Sequence, residues 1–175
     1  MKIFLTGSTG YIGSAVAEAL KAAGHSVTGL ARSDEAARKL ESKGIGVVRG
    51  DLSDSAVLSS AARAAGAVIN TALPWTPDAP QIDRAATEVL VAAGKPLVYT
   101  SGVWVHGDTH GSVANEETPL DPAPLVAWRP AVEQVALESG HGVVIRPAMV
   151  YGRRGGWVAG FVKSARERGS LGTGA

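Results

Sequence analysis

Three glycines near the N-terminus have the spacing of a phosphate-binding turn. Gly7, Gly10 and Gly13 form the pattern G-x-x-G-x-x-G within LTGSTGYIGSA. A glycine has no Cβ and tolerates a positive φ, so a phosphate can approach its backbone, and the N-terminus of a following helix offers free N–H groups to the anion. A tight strand-to-helix connection would use glycines in the same way. The position between a first strand and a first helix, with further alternations behind it, favours dinucleotide binding.

The residues about twenty positions further on indicate which dinucleotide binds. The end of the second strand of such folds carries an acidic residue for the ribose 2′-hydroxyl of NAD, or a basic one for the 2′-phosphate of NADP. Here Ala31 is followed by Arg32 and Ser33. Arginine pairs with phosphate and a serine hydroxyl hydrogen-bonds to it, so the sequence favours NADP over NAD. The alternative is that Arg32 lies in solvent and Asp34 holds the ribose.

Two histidines, His106 and His110, have the spacing of a metal-binding pair on a helix. They lie in the glycine-containing stretch HGDTHG, which offers no further ligand, whereas zinc sites use at least three protein ligands. We therefore expect exposed loop histidines and no metal. The chain has no cysteine, which excludes a thiolate site and a disulfide.

An alternation of short apolar runs and helical patterns must position these residues. The apolar runs predict six strands, at about 2–7, 25–32, 45–51, 67–70, 96–101 and 142–147. Capped or Ala-rich segments predict helices at about 11–24, 33–44, 53–66, 81–93, 125–138 and 157–168. Strands that are apolar on both faces and joined by crossover helices predict an α/β Rossmann fold. This is a doubly wound parallel sheet with helices on both faces.

Composition limits the class of protein further. A chain of 175 residues with 45% hydrophobic and 19% charged residues is long and apolar enough for one globular domain, or for part of a larger one. The net charge of +1 gives no reason to expect nucleic acid or a membrane surface as partner. No stretch approaches the ~20 apolar residues of a membrane helix. We therefore expect a soluble, cytoplasmic protein that binds a small-molecule substrate.

Five segments are informative as a set, namely MKIFLTGSTGYIGSAV, GDLSD, VYTSGVWVHG, EETPLDP and VVIRPAMVYGRRGG. In this order, and over essentially the whole chain, they resemble the extended and atypical short-chain dehydrogenase/reductases of the NAD(P)-dependent epimerase/dehydratase-like branch. The resemblance implies that Arg32 and Ser33 take the 2′-phosphate. It implies further cofactor contacts from Gly7, Thr9, Gly10, Tyr11, Ile12 and Gly13 to the pyrophosphate, from Asp51 and Leu52 to the adenine, from Thr71, Ala72 and Leu73 to the sugar, and from Pro147, Ala148, Met149 and Val150 beside the nicotinamide.

The family's active site consists of a serine, a tyrosine and a lysine. By resemblance, the serine polarises the substrate oxygen, the tyrosine transfers the proton, and the lysine one helical turn later lowers the tyrosine pKa. Ser101 takes the serine position. If Glu133 is aligned with a glutamate that often follows the family's pair, Leu125 replaces the tyrosine and Arg129 the lysine.

A shift of three residues puts Trp128 and Val132 at these positions instead, so neither register supplies a phenol. Arg129, with a pKa above about 12, can bind ribose or a substrate anion but cannot act as a general acid at neutral pH. His106, close to Ser101 in sequence, is the candidate for a substitute proton donor. Among the tyrosines only Tyr151 could face the pocket, although packing is the simpler reading. The four tryptophans either line a nonpolar cleft or pack in the core.

Three functions fit these observations. The first is an NADP-dependent reductase or dehydrogenase of a small carbonyl or hydroxyl compound with a degenerate tyrosine–lysine site. The second is a non-catalytic NADP-binding regulator or sensor, and the third is an inactive truncated family member. Because whole family members continue well beyond 175 residues, residues 156–175 resemble the start of an incomplete substrate-binding region ending in an iGxG-like motif. Uncovered apolar side chains would then promote homo-oligomers or reliance on another chain: Trp157, Val158, Phe161 and Val162.

Overall fold

The structure, a computed structural model, describes residues 1–153 and 155–169 and is built on one parallel sheet. Its strands are β1 Lys2–Thr6, β2 Ser26–Ala31, β3 Gly46–Arg49, β4 Ala67–Asn70, β5 Leu97–Thr100 and β6 Gly142–Ile145. They are ordered β3-β2-β1-β4-β5-β6. The order reverses at β1, which pairs with β2 on one side and β4 on the other. The doubly wound Rossmann fold predicted from the sequence is confirmed.

Helices cover both faces of this sheet. They are α1 Tyr11–Ala22, α2 Asp34–Glu41, α3 Ser55–Arg63, α4 Ala79–Val91, α5 Arg129–Glu138 and α6 Trp157–Arg168. Apolar residues of α1 and α2 form one core cluster with β1 and β2, and those of α3, α4 and α5 form the larger cluster on the opposite face. Ser33 caps α2 as predicted, because its Oγ accepts a hydrogen bond of 3.2 Å from the Ala36 amide.

Two segments near the expected active site differ from the prediction. The helix predicted from Leu125 begins at Arg129, after a short 3₁₀ turn over Pro124–Val126. Pro130 explains the delay, because proline has no N–H to donate and is accommodated only in the first turn of a helix. After β6, the chain forms a small hairpin of β7 Tyr151–Gly152 and β8 Gly155–Gly156, which the sequence did not predict.

Apolar side chains remain exposed at the β6 edge of the sheet and on α6. Val143 and Ile145 of β6 are 56% and 45% exposed. Val158 and Val162 are likewise exposed on α6, as predicted, whereas the side chain of Trp157 and the iGxG-like motif at 170–175 lie outside the described residues. In the part of the chain that is described, no helix has the length and apolar character needed to cross a membrane.

Candidate cofactor-binding and active site

The glycine turn joins β1 to α1 at the point where the strand order reverses. A Cβ on Gly13 would lie 2.1 Å from the carbonyl oxygen of Gly7, so α1 can pack on the turn only because residue 13 has no side chain. Gly7 has a φ of +68°, and a Cβ there would lie 2.7 Å from Thr71 Oγ1. Gly10 is exposed, and a Cβ on it would meet only the Gly7 oxygen, at 3.1 Å. The outer surface of the turn is therefore open to a phosphate.

The start of α1 also suits an anion. Its N-cap is Gly10, no side chain caps it, and its first turn contains no acidic residue. The amide groups of this turn thus retain their positive field, which stabilises a phosphate at a helix N-terminus. Lys39 adds a positive charge nearby, because its Nζ donates to the carbonyl oxygen of Thr9, inside the turn, at 3.0 Å.

A buried polar cluster fixes the turn against the end of β4. Thr6 Oγ1 donates to Asn70 Oδ1 at 2.5 Å, and the same oxygen accepts from the Ala72 amide at 3.2 Å. Thr71 Oγ1 donates to the Thr6 carbonyl oxygen at 2.8 Å. Thr71 and Ala72, predicted to contact the cofactor sugar, therefore lie next to the glycine turn, close to Gly7. Leu73, which follows them, is half-buried. Asn70 is a support that sequence reasoning missed, although an amide ending the apolar run AVIN was a usable signal.

The predicted 2′-phosphate ligands lie at the end of β2. Arg32 is exposed and, among the described residues, has no ion-pair partner. Ser33 Oγ accepts the capping hydrogen bond from Ala36, which leaves its hydroxyl hydrogen available to a phosphate. Asp34, the alternative ribose ligand, forms an ion pair with Arg49 at 2.7 Å.

The predicted adenine ligands follow β3. Asp51 is exposed, and its Oδ1 accepts hydrogen bonds of 3.1 Å and 3.0 Å from the amide and hydroxyl of Ser53. The side chain of Leu52 is buried in the larger core cluster. A contact between Leu52 and an adenine would therefore involve its backbone.

Ser101 and Arg129 lie together at the end of β5. The Ser101 amide donates to the Ile145 carbonyl oxygen of β6 at 2.8 Å, and its buried Oγ has no hydrogen-bond partner among the described residues. Arg129 is also buried and donates from Nη1 to the carbonyl oxygen of Thr100 at 3.1 Å. The Ser101 hydroxyl, which has no partner among the described residues, thus lies at the residue next to Thr100, whose carbonyl oxygen holds the Arg129 guanidinium.

Trp128 does not face this site. Its indole Nε1 donates to the buried carboxylate of Asp83 on α4 at 3.4 Å, and Tyr99 Oη donates to the same carboxylate oxygen at 2.6 Å. Burial raises the pKa of Asp83, while the hydrogen bond from Tyr99 and the charge of Arg129 oppose that shift. Burial also raises the pKa of Tyr99, so its phenol stays protonated. Trp128 therefore packs against the larger core cluster, and the Arg129 guanidinium lies 5.8 Å from the centre of its ring.

His106 differs from the expected exposed loop histidine. It is half-buried at the end of the 3₁₀ turn Val103–His106, and its Nε2 lies 3.3 Å from Arg146 Nη1. A guanidinium only donates, so Nε2 accepts and the hydrogen resides on Nδ1. Arg146 is in turn held by buried Glu133, with Nη2 and Oε2 2.6 Å apart. Arg146 therefore occupies Nε2, whereas the buried Nδ1 has no hydrogen-bond partner among the described residues.

His110 is exposed, as predicted, and its nearest ionic neighbour is Asp108 at 3.5 Å. No group of three or more potential metal ligands occurs within the described ranges 1–153 and 155–169.

The segment after β6 packs on the glycine turn through Tyr11. The Tyr11 hydroxyl donates to the Gly152 carbonyl oxygen at 2.7 Å, and a Cβ on Gly155 would lie 2.4 Å from the Tyr11 ring. The hairpin therefore lies beside the glycine turn. Residues 147–150, which connect β6 to it, pass next to the Ser101 strand end, where the Val103 amide donates to the Pro147 carbonyl oxygen at 3.2 Å. In this connection Ala148, Met149 and Val150 are exposed, as is Tyr151 of the hairpin.

The fold and the turn define a dinucleotide-binding protein, and comparison with known proteins gives its family. Residues 1–101, more than half of the chain, match the model of the NmrA-like family. The chain belongs to this family, within the NAD(P)-binding, epimerase-like short-chain dehydrogenase/reductases. The resemblance stated from its sequence motifs is confirmed.

Individual relatives cover most of this chain. An uncharacterised protein of Saccharomyces cerevisiae is 40% identical over 149 residues, 78% of this chain and 48% of that protein. A 4-hydroxy-2-methyl-3-oxo-4-farnesyl-3,4-dihydroquinoline-1-oxide ketoreductase of Stigmatella aurantiaca is 29% identical, over 87% of this chain and 51% of that protein. The solved structure of UDP-glucose 4-epimerase from Thermus thermophilus in complex with NAD matches with a TM-score of 0.75 and 25% identity, over 94% of this chain and 61% of that one. The chain thus spans about half the length of the curated relatives it matches.

Proposed function

We propose that this chain binds NADP and is the cofactor-binding part of a reductase or dehydrogenase of a small carbonyl or hydroxyl compound. The observation that carries the proposal is the glycine turn at the point where the strand order reverses. Gly7 and Gly13 pack tightly against protein atoms, whereas the surface of the turn at Gly10 is open. Arg32, without an ion-pair partner in the described ranges, supports the choice of NADP over NAD. The ketoreductase relative supports carbonyl reduction as the type of reaction.

The bound dinucleotide would supply or accept the hydride. In reduction, Ser101 Oγ would donate a hydrogen bond to the carbonyl oxygen of the substrate, since no other described group uses this hydroxyl. Arg129 would stabilise the negative charge that develops there, because its guanidinium is fixed to the adjacent Thr100 carbonyl. With no phenol at the tyrosine position, the proton that neutralises the alkoxide would come from a hydronium ion or buffer acid in the solvent, and Ser101 would keep its hydroxyl proton.

The test is NADPH oxidation with a panel of aldehydes and ketones, followed by absorbance, for the wild type and Ser101→Ala. We expect the variant to lose at least ~100-fold in turnover, the usual value of a polar group positioned at the reacting oxygen. Its affinity for NADPH should be unchanged, which serves as the control for folding. Equal turnover of the two proteins would contradict the role of Ser101.

One observation favours a second candidate, a non-catalytic NADP-binding regulator. Two of the three tyrosines have hydroxyls that are engaged elsewhere, since Tyr11 donates to Gly152 and Tyr99 donates to Asp83, and the third, Tyr151, is 73% exposed on the hairpin. Tight NADPH binding with no oxidation by any carbonyl in the panel would support the regulator and contradict the reductase.

A further inference from the structure

The 2′-phosphate end of the site contains an ion pair that the proposed function does not use. Arg49 Nη1 lies 2.7 Å from Asp34 Oδ1. Arg49 ends β3 and is in register with Ala31, the last residue of β2. Asp34 is the first residue of α2. Arg49 therefore lies opposite Ala31, the residue that directly precedes Arg32.

This ion pair is easily exchanged for another one. The side chains of Arg49 and Asp34 are 53% and 77% exposed, and pairs of this exposure contribute little to stability because water solvates both charges. A phosphate carries more charge than a carboxylate and offers three acceptor oxygens to the two-pronged guanidinium. Arg49 would therefore gain by transferring from Asp34 to a phosphate within its reach.

Asp34 has the opposite effect on such a phosphate. Asp34 directly follows Arg32 and Ser33 in the chain, so its negative charge opposes the binding of an anion that these residues attract. Without a 2′-phosphate, Arg49 neutralises Asp34 and the carboxylate is not free to bind a ribose hydroxyl. Asp34 thus lowers the affinity for NADP by its negative charge. Its pairing with Arg49 lowers the affinity for NAD, because the carboxylate is then not available to the ribose.

We infer that Arg49 is a second residue that recognises the 2′-phosphate of NADP, and that Asp34 sets the degree of discrimination by competing for it. This inference rests on the proposed NADP site. When NADP binds, Arg49 leaves Asp34 and joins Arg32 on the phosphate. When NAD binds, the Asp34–Arg49 pair stays closed.

The experiment measures NADPH and NADH affinities by nicotinamide fluorescence for the wild type, Arg49→Ala, Asp34→Asn and the double variant. Arg49→Ala should weaken NADPH binding about tenfold, the lower end of the range for charge-assisted hydrogen bonds. It should not weaken NADH binding, because NADH has no 2′-phosphate and the substitution leaves the Asp34 carboxylate unpaired. Asp34→Asn should strengthen NADPH binding about threefold. In the Asp34→Asn background, removal of Arg49 should cost more than in the wild type, because Arg49 no longer has a competing partner.

The matched control is Arg63→Ala, which removes an exposed cation from the C-terminal end of α3, at the start of β4 and away from the ends of β2 and β3. A second probe uses adenosine 2′,5′-bisphosphate and 5′-AMP as competitors, since only the first carries the 2′-phosphate. If Arg49→Ala and Arg63→Ala have equal effects, Arg49 contributes only general charge and the inference is overturned. It is also overturned if Asp34→Asn weakens NADH binding and leaves NADPH unchanged, because Asp34 is then the ribose ligand. If the wild type binds neither dinucleotide, the proposed function fails as well.

Discussion

Arg32 is the side chain whose removal should separate the two dinucleotides most clearly. Arg32→Ala is expected to lower the free energy of NADPH binding by ~1–3 kcal/mol, because a charge-assisted hydrogen bond to phosphate is lost. NADH binding should change little, since NADH has no 2′-phosphate. Arg32→Lys keeps the charge without the two-pronged geometry and should give an intermediate loss of NADPH affinity in the same titration. Equal losses for NADPH and NADH would show that Arg32 does not contact the phosphate.

The buried carboxyl group of Asp83 should make the stability of the fold depend on pH. Burial raises its pKa in the folded chain above the unfolded value of about 3.9. A group with a raised folded pKa contributes stability below its unfolded pKa and loses that contribution as the pH rises through the folded pKa. The wild type should therefore lose stability relative to Asp83→Asn as the pH rises above about 4. Urea unfolding of both proteins across this range measures the difference, and a constant difference would contradict the assignment to Asp83.

At the scale of elements, substitutions of two glycines in the turn before α1 can distinguish a residue needed for packing from one needed for cofactor binding. A Cβ at position 13 would collide with the Gly7 carbonyl oxygen at 2.1 Å, whereas one at position 10 would approach only the same oxygen, at 3.1 Å. Gly13→Ala should destabilise the fold by ~1–3 kcal/mol, the usual cost of overpacking, and abolish NADPH binding. Gly10→Ala should keep the melting temperature and still weaken NADPH binding by blocking the phosphate. Wild-type affinity in a folded Gly10→Ala protein would place the phosphate elsewhere.

The elements around the cofactor follow from local patterns and were predictable. The apolar runs, the capping serine at residue 33 and the glycine spacing each depend on neighbours within a few residues. The start of α5 was misplaced because the apolar pattern before Pro130 outweighed its missing N–H in the prediction. The hairpin at Tyr151–Gly156 was also missed, because two-residue strands have no periodicity to detect.

The polar contacts around the active site were not predictable, because they join residues far apart in sequence. Asp83 resembles an ordinary surface residue in QIDRAATE until β5 and α5 bring Tyr99 and Trp128 onto it. His106 was expected in solvent, and only the end of β6 supplies the Arg146 that holds it. These contacts decide which groups are free to react, so the candidate catalytic residues could be proposed from the sequence but their roles could not be ranked.

At the scale of the whole molecule, the exposed apolar side chains of β6 and α6 predict self-association of this 175-residue chain. Val143, Ile145, Val158 and Val162 are each more than 40% exposed. Within the described residues β6 pairs only with β5, which leaves its other edge open. Exposed apolar patches and open strand edges promote association. Sedimentation velocity at micromolar concentration should therefore show oligomers, and a compact monomer that binds no hydrophobic dye would contradict this prediction.

The central claim is that this chain holds NADP through the glycine turn and the basic end of β2. The most direct test is a titration of the wild-type chain with NADPH and NADH under the same conditions, followed by nicotinamide fluorescence. The account predicts saturable binding of both cofactors, with NADPH bound at least about tenfold more tightly, as one or two arginine–phosphate contacts would give. No binding of either cofactor, or equal affinity for the two, would contradict it.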